Sequence, residues 1–124
     1  MITVIKIVTK QNGAESYYDF TVVVGDSGQF TVTPKVNGES YEMQTGDTID
    51  MKIAKAARGL PELTLIADSS RVIAMTADES ASLCVGDYYC DITLNYAGGG
   101  KDTFIKIPVK DNKAISNFHV TYGV

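Results

Sequence analysis

The chain has no tryptophan, one histidine, two arginines, two cysteines and three prolines among its 124 residues. Leu, Glu, Gln and Arg together supply only 15 residues, too few of the strong helix formers for a helical bundle. No run of about 18 apolar residues occurs, which removes a membrane-spanning helix. Met1 to Lys10 alternate apolar and polar residues around Lys6, so the continuous apolar stretch of a signal peptide is missing and synthesis without export is expected. Cys84 and Cys90 are the only cysteines. In a chain without an export signal the base rate favours reduced, structural thiols over a bridge. A net charge of -4 and a pI near 4.8 argue against a protein that grips a phosphate backbone, which needs clustered Lys and Arg.

What is abundant is β-branched and aromatic. Val, Ile, Thr, Tyr and Phe account for 46 of the 124 residues, a bias toward pleated, half-buried strands. At this length one domain spanning residues 1–124 is expected. Alternation follows: Tyr18, Phe20, Val22 and Val24 face one way, and Tyr17, Asp19, Thr21 and Val23 the other. The same period recurs over Thr3 to Thr9, Phe30 to Val36, Ile49 to Ile53, Leu63 to Leu65, Ile73 to Met75, Tyr88 to Leu94, Ile105 to Val109 and Phe118 to Tyr122, giving about nine short strands. The expected core is Phe20, Val22, Phe30, Val32, Ile49, Met51, Ile53, Tyr88, Ile92, Leu94, Ile105, Ile107, Phe118 and Val120.

Between the strands stand Asn12-Gly13, Gly25-Asp26-Ser27-Gly28, Asn37-Gly38, Thr45-Gly46-Asp47 and Gly98-Gly99-Gly100, turn chemistry that predicts hairpins. Pro34 and Pro108 cannot donate to a ladder, so each is expected at an edge strand or a bulge. Open edges in turn favour a two-sheet sandwich over a closed barrel. The one helical candidate is Thr76 to Leu83, with Thr76 or Asp78 as cap.

Residues with chemistry are few. His119 falls on the polar phase of the last strand with Asn117 and Thr121, where a solvated imidazole is expected, and a Cys–His dyad would need a proximity no spacing supplies. Cys90 shares the phase of Tyr88 and Ile92 and reads as a small buried hydrophobe. The pairs Gly25-Asp26, Gly46-Asp47 and Gly86-Asp87 lack the clustered acidic spacing of a calcium loop and read as turns. Gly98 to Gly100 precedes a strand and lacks the following Lys-Ser pair or helix that a phosphate cradle needs. No cofactor, metal or catalytic residue is expected. In the adjacent pairs Tyr17-Tyr18 and Tyr88-Tyr89 one tyrosine of each must face outward; Tyr17 and Tyr89 are the candidate interaction residues.

The stretch from Ala77 to Leu94, with Asp78, Leu83, Gly86, Tyr88 and Asp91-Ile92 in order, resembles the small Ig-like β-sandwich domains of tailed-phage and prophage structural proteins, in particular the N-terminal domain of the phage baseplate upper protein family. Gly25-Asp26-Ser27, the alternating Phe30 to Thr33, Asn37-Gly38 and Gly46-Asp47-Thr48-Ile49 extend the likeness over roughly Phe20 to Ile107. Cys90 stands where the pattern has a second aromatic, and no arginine precedes Gly25. The resemblance implies an all-β, Ig-like antiparallel β-sandwich with one short helical turn in which Asp78 caps the turn and Leu83, Tyr88 and Ile92 fill the core. It also implies a non-enzymatic virion component of baseplate, tail or neck, made in the bacterial cytoplasm and assembling with other tail proteins and with copies of itself, with no nucleic-acid or membrane partner. The alternative reading is a bacterial surface or carbohydrate-binding β-sandwich module.

Overall fold

The computed structural model describes residues 3–9 and 16–123, with side chains from residue 18 onward. The Asn12-Gly13 turn and the outward side chain expected of Tyr17 lie outside the described residues. The fold is all-β with one short helix. Thirteen strands are described: β1 (Thr3–Thr9), β2 (Ser16–Val23), β3 (Gly28–Thr31), β4 (Lys35–Val36), β5 (Glu39–Ser40), β6 (Thr48–Ala54), β7 (Leu63–Ala67), β8 (Val72–Met75), β9 (Gly86–Asn95), β10 (Lys101–Ile105), β11 (Val109–Lys110), β12 (Lys113–Ala114) and β13 (Phe118–Thr121). The helix α1 (Ala77–Ser82) joins β8 to β9.

A large sheet runs β1-β2-β13-β9-β6-β7, with β10 also on β9. The pair β3–β8 forms a second, smaller layer, and side chains from both close one core. Phe20, Val22, Ile49, Met51, Ile53, Tyr88, Cys90, Ile92, Leu94, Phe118 and Val120 enter it from the large sheet, and Val32, Ile73, Met75 and Leu83 from the other side. The Phe20 ring sits 5.5 Å from Phe30 and 6.3 Å from Phe118, within the range of favourable aromatic pairs. One pairing departs from the antiparallel expectation: β13 runs parallel to β2, Phe118 opposite Phe20.

The centre of the sheet is β9, whose residues from Tyr89 to Asn95 pair with β6. Its opposite edge is shared. Gly86 to Tyr88 pair with β13, whereas Ile92 to Asn95 pair with β10. Cys90 lies in the gap, and there the side chain of Asn117 does the work of a strand: Cys90 N–H donates to Asn117 Oδ1 at 2.7 Å and Asn117 Nδ2 donates to the Cys90 carbonyl at 2.9 Å. The Asn117 backbone N–H donates to Tyr88, and its carbonyl accepts from Phe20. Alternation placed Asn117 on the solvent face with His119; it is instead fully buried, because backbone groups deep in a sheet must all be paired.

The next corrections centre on two prolines. Phe30, Ile105 and Ile107 are only half-buried rather than core, since the expected long strands through Phe30 to Val36 and Ile105 to Val109 each break near a proline. Pro34 and Pro108 are buried and sit in neither an edge strand nor a bulge. Each opens a two-residue hairpin, β4–β5 or β11–β12, closed by Tyr41 N–H on the Pro34 carbonyl and by Ile115 N–H on the Pro108 carbonyl, both at 2.8 Å. The turns Asn37-Gly38 and Asp111-Asn112 both have positive φ at both positions, the geometry that suits a tight hairpin. The cap of α1 is Thr76, not Asp78. Glu79 N–H donates to Thr76 Oγ1, and Thr76 N–H donates to Glu79 Oε1 at 2.8 Å, a reciprocal capping box.

Candidate interaction surface

Among the described residues, the large sheet ends at β7, which hydrogen-bonds only to β6. The five residues Leu63-Thr64-Leu65-Ile66-Ala67 contain no charge, no proline and no break in register. Leu65 and Ala67 point into the core, while Ile66 on the opposite face is 67 % exposed. The other flanking strands are blunted, β1 by a register shift between Val4 and Lys6 and β10 by one between Thr103 and Ile105. Bulges, charges and prolines are the devices that keep sheet edges from pairing with other chains, and β7 carries none within its length. Tyr122, at the end of β13, is 78 % exposed and Leu60, in the loop before β7, 91 %. None of these three stood out by composition. Ile66 did leave a trace, as an apolar residue on the polar phase of its strand.

Tyr89 lies on the outer face of β9, half-buried, opposite Ala54 of β6. Tyr17 lies in β2 opposite Val8 of β1, and β13 separates β2 from β9, so the two candidates do not share neighbouring strands. Between those strands stands His119, which is not a freely solvated imidazole. Its Nδ1 is 2.7 Å from Asp87 Oδ1 of β9 and its Nε2 2.6 Å from Asp19 Oδ1 of β2. The first is a hydrogen bond; the second is an ion-pair contact off the hydrogen-bond axis, and Asp19 Oδ1 has no hydrogen-bond partner of its own. A neutral ring carries one N–H and can donate to only one of these carboxylates. The cluster ties β2, β13 and β9 together on the outer face. Four residues along β9 from Asp87, Asp91 has a buried, unpartnered Oδ1, and burial raises its carboxyl against the opposing pull of Lys52 and Lys101.

Cys90 projects into the core from the face opposite His119, so these two side chains do not meet. Both cysteines are free, Cys84 exposed and Cys90 buried, and burial pushes the Cys90 thiol far up. Of the Gly-Asp pairs, Gly46-Asp47 is the most built. The buried Asp47 carboxylate accepts from Tyr41 O–H at 2.7 Å, from Gln44 N–H at 2.8 Å and from Ala97 N–H at 2.9 Å, which holds it below the usual carboxylate range and locks the loop before β6 to the end of β9. The Tyr41 ring packs edge-on against Tyr96 at 5.5 Å, and Tyr96 O–H donates to Asp102, which pushes the phenol up to about 12. Among the described residues, no group of three or more His, Cys, Asp or Glu side chains is placed to hold a metal ion, and no helix is long and apolar enough to cross a membrane.

One cleft of about 230 Å³ opens between the layers, lined by Tyr18, Phe20, Phe30, Thr31, Thr33 and Lys35 among others. No family model, no curated protein and no solved structure matches the chain.

Proposed function

We propose that the chain is a non-enzymatic structural component of a phage or prophage virion, in the baseplate, tail or neck, that works by docking onto neighbouring proteins through its sheet edges. The observation that carries this reading is β7, an uncharged and unbroken terminal strand with Ile66 67 % exposed. An open ladder of this kind offers backbone donors and acceptors that a strand from another chain completes. The built polar groups support it as well. Asp47, Asn117 and the Asp19–His119–Asp87 cluster hold strands and loops together, which suits a scaffold. In this reading the chain is made in the bacterial cytoplasm and ends in the particle, with other tail proteins as its partners.

The cleft favours a second reading, a bacterial surface or carbohydrate-binding module, because aromatic rings beside the hydroxyls of Thr31 and Thr33 are the chemistry of a sugar site. Capture assays separate the two. Retention of the proteins encoded beside this chain on the immobilised domain, with no glycan bound on an array, supports the virion component. Glycan binding lost on Phe30→Ala, with no protein retained, supports the module.

A further inference from the structure

We propose that β7 pairs with β7 of a second copy of this chain, antiparallel about a two-fold axis through Ile66, joining two large sheets into one. The inference rests on the assembly reading and names its partner and register. An edge strand with a free ladder specifies an extended strand as occupant, and charge selects which one and how it is set. β7 is uncharged but is bounded by Glu62 and Asp68. With Leu65 on the axis, Glu62 faces Asp68 of the second copy, and like charges opposed across a ladder are unfavourable. Moving the axis to Ile66 removes that clash. Thr64 then faces Asp68 of the second copy, in the row that Lys52 of β6 occupies beside Thr64, which puts a cation two strand spacings, about 10 Å, from the incoming carboxylate. The same register sets the two exposed Ile66 side chains against each other and covers them both. It also leaves Glu62 next to its own partner, Lys55, at 3.9 Å.

A ladder of about five residues covers less than the roughly 1,000 Å² typical of stable interfaces, so the isolated chain associates weakly and the contact gains strength by repetition in a larger assembly. Sedimentation of the chain from about 10 µM to 1 mM, the range such small interfaces occupy, should show mass rising from 13.4 kDa toward twice that value. Ile66→Lys should stay monomeric with an unchanged circular dichroism spectrum.

Register is read by cross-linking in a Cys84→Ser background. Ile66→Cys on the axis should form a disulfide dimer under mild oxidation. Thr64→Cys should not, because the two Thr64 positions are offset by four residues, about 13 Å. Wild type that is monomeric throughout, dimerisation that survives Ile66→Lys, or equal cross-linking of both cysteine variants overturns the proposal. A monomer that retains a neighbouring tail protein through Ile66 overturns self-pairing and leaves the assembly reading standing. A β7-dependent dimer that retains no tail protein does the reverse.

Discussion

Removing the Asn117 carboxamide tests how the centre of the sheet is held. Asn117 and Cys90 are both fully buried, and Asn117 is the sole partner shown for the Cys90 N–H and C=O that face the gap between β13 and β10. Asn117→Ala strands one donor and one acceptor where water has no ready access. At about 1–3 kcal/mol for each of the two buried groups left unsatisfied, the loss comes to roughly 2–6 kcal/mol, a large share of the stability of a domain this size. Asn117→Asp separates hydrogen bonding from volume. Its carboxylate still accepts from Cys90 N–H but sets a second oxygen against the Cys90 carbonyl, so the fold favours the protonated acid. A folded-state pKa raised above the unfolded value gives stability that is present at low pH and lost as pH rises through the folded pKa. Urea unfolding followed by far-ultraviolet circular dichroism, at pH 4 and pH 7, measures both effects. Asn117→Ala should lower the midpoint with an unchanged m-value, and Asn117→Asp should lie closer to wild type at pH 4 than at pH 7. A loss below about 0.5 kcal/mol for Asn117→Ala would refute the claim that this side chain completes the ladder.

Gly46 has φ of +91°, and a Cβ there would lie 2.9 Å from Ala97 Cβ, so Gly46→Ala should cost about 1–3 kcal/mol in the same urea assay; adding Ala97→Gly should recover the steric part only. Native chain treated with a neutral disulfide reagent at pH 8 should release one equivalent rapidly, from exposed Cys84, and the second only on unfolding, since Cys90 is buried and its thiol is held protonated; two rapid equivalents would contradict the burial. The Asp47 carboxyl, held low chiefly by Tyr41, contributes stability that is present above its unfolded value and lost as pH falls through and below that value. Asp47→Asn should therefore flatten the loss of stability between about pH 5 and pH 2, and an unchanged acid limb in urea melts taken across that range would exclude the role.

Strict alternation made much of the large sheet readable. Tyr88, Cys90, Ile92 and Leu94 all fall in the core, as do Ile49, Met51 and Ile53, because a central strand with one buried face has to keep period two. Where the chain leaves the ladder the period loses meaning. Asn117 precedes β13 and turns its side chain into the gap beside β9, a tertiary demand that local pattern does not encode. Pro34 and Pro108 were visible as obstacles to a ladder, but their use as first residues of matching hairpins depends on carbonyls that bond seven residues ahead. Asn37-Gly38 announced its turn. Asp111-Asn112 adopts the same backbone without a glycine and carried a weaker signal. The clasp around His119 was hidden for a similar reason: Asp19, Asp87 and His119 are brought together by the β2–β13–β9 register and lie far apart in sequence.

The chain is proposed to be a built-in part of a virion. Mass spectrometry of purified phage particles released from cells that carry its gene tests it most directly. Peptides of the chain should be found at a fixed, whole-number ratio to tail proteins, retained through gradient purification. Particles free of the chain, with the full amount recovered from the cells or their surface, would contradict it.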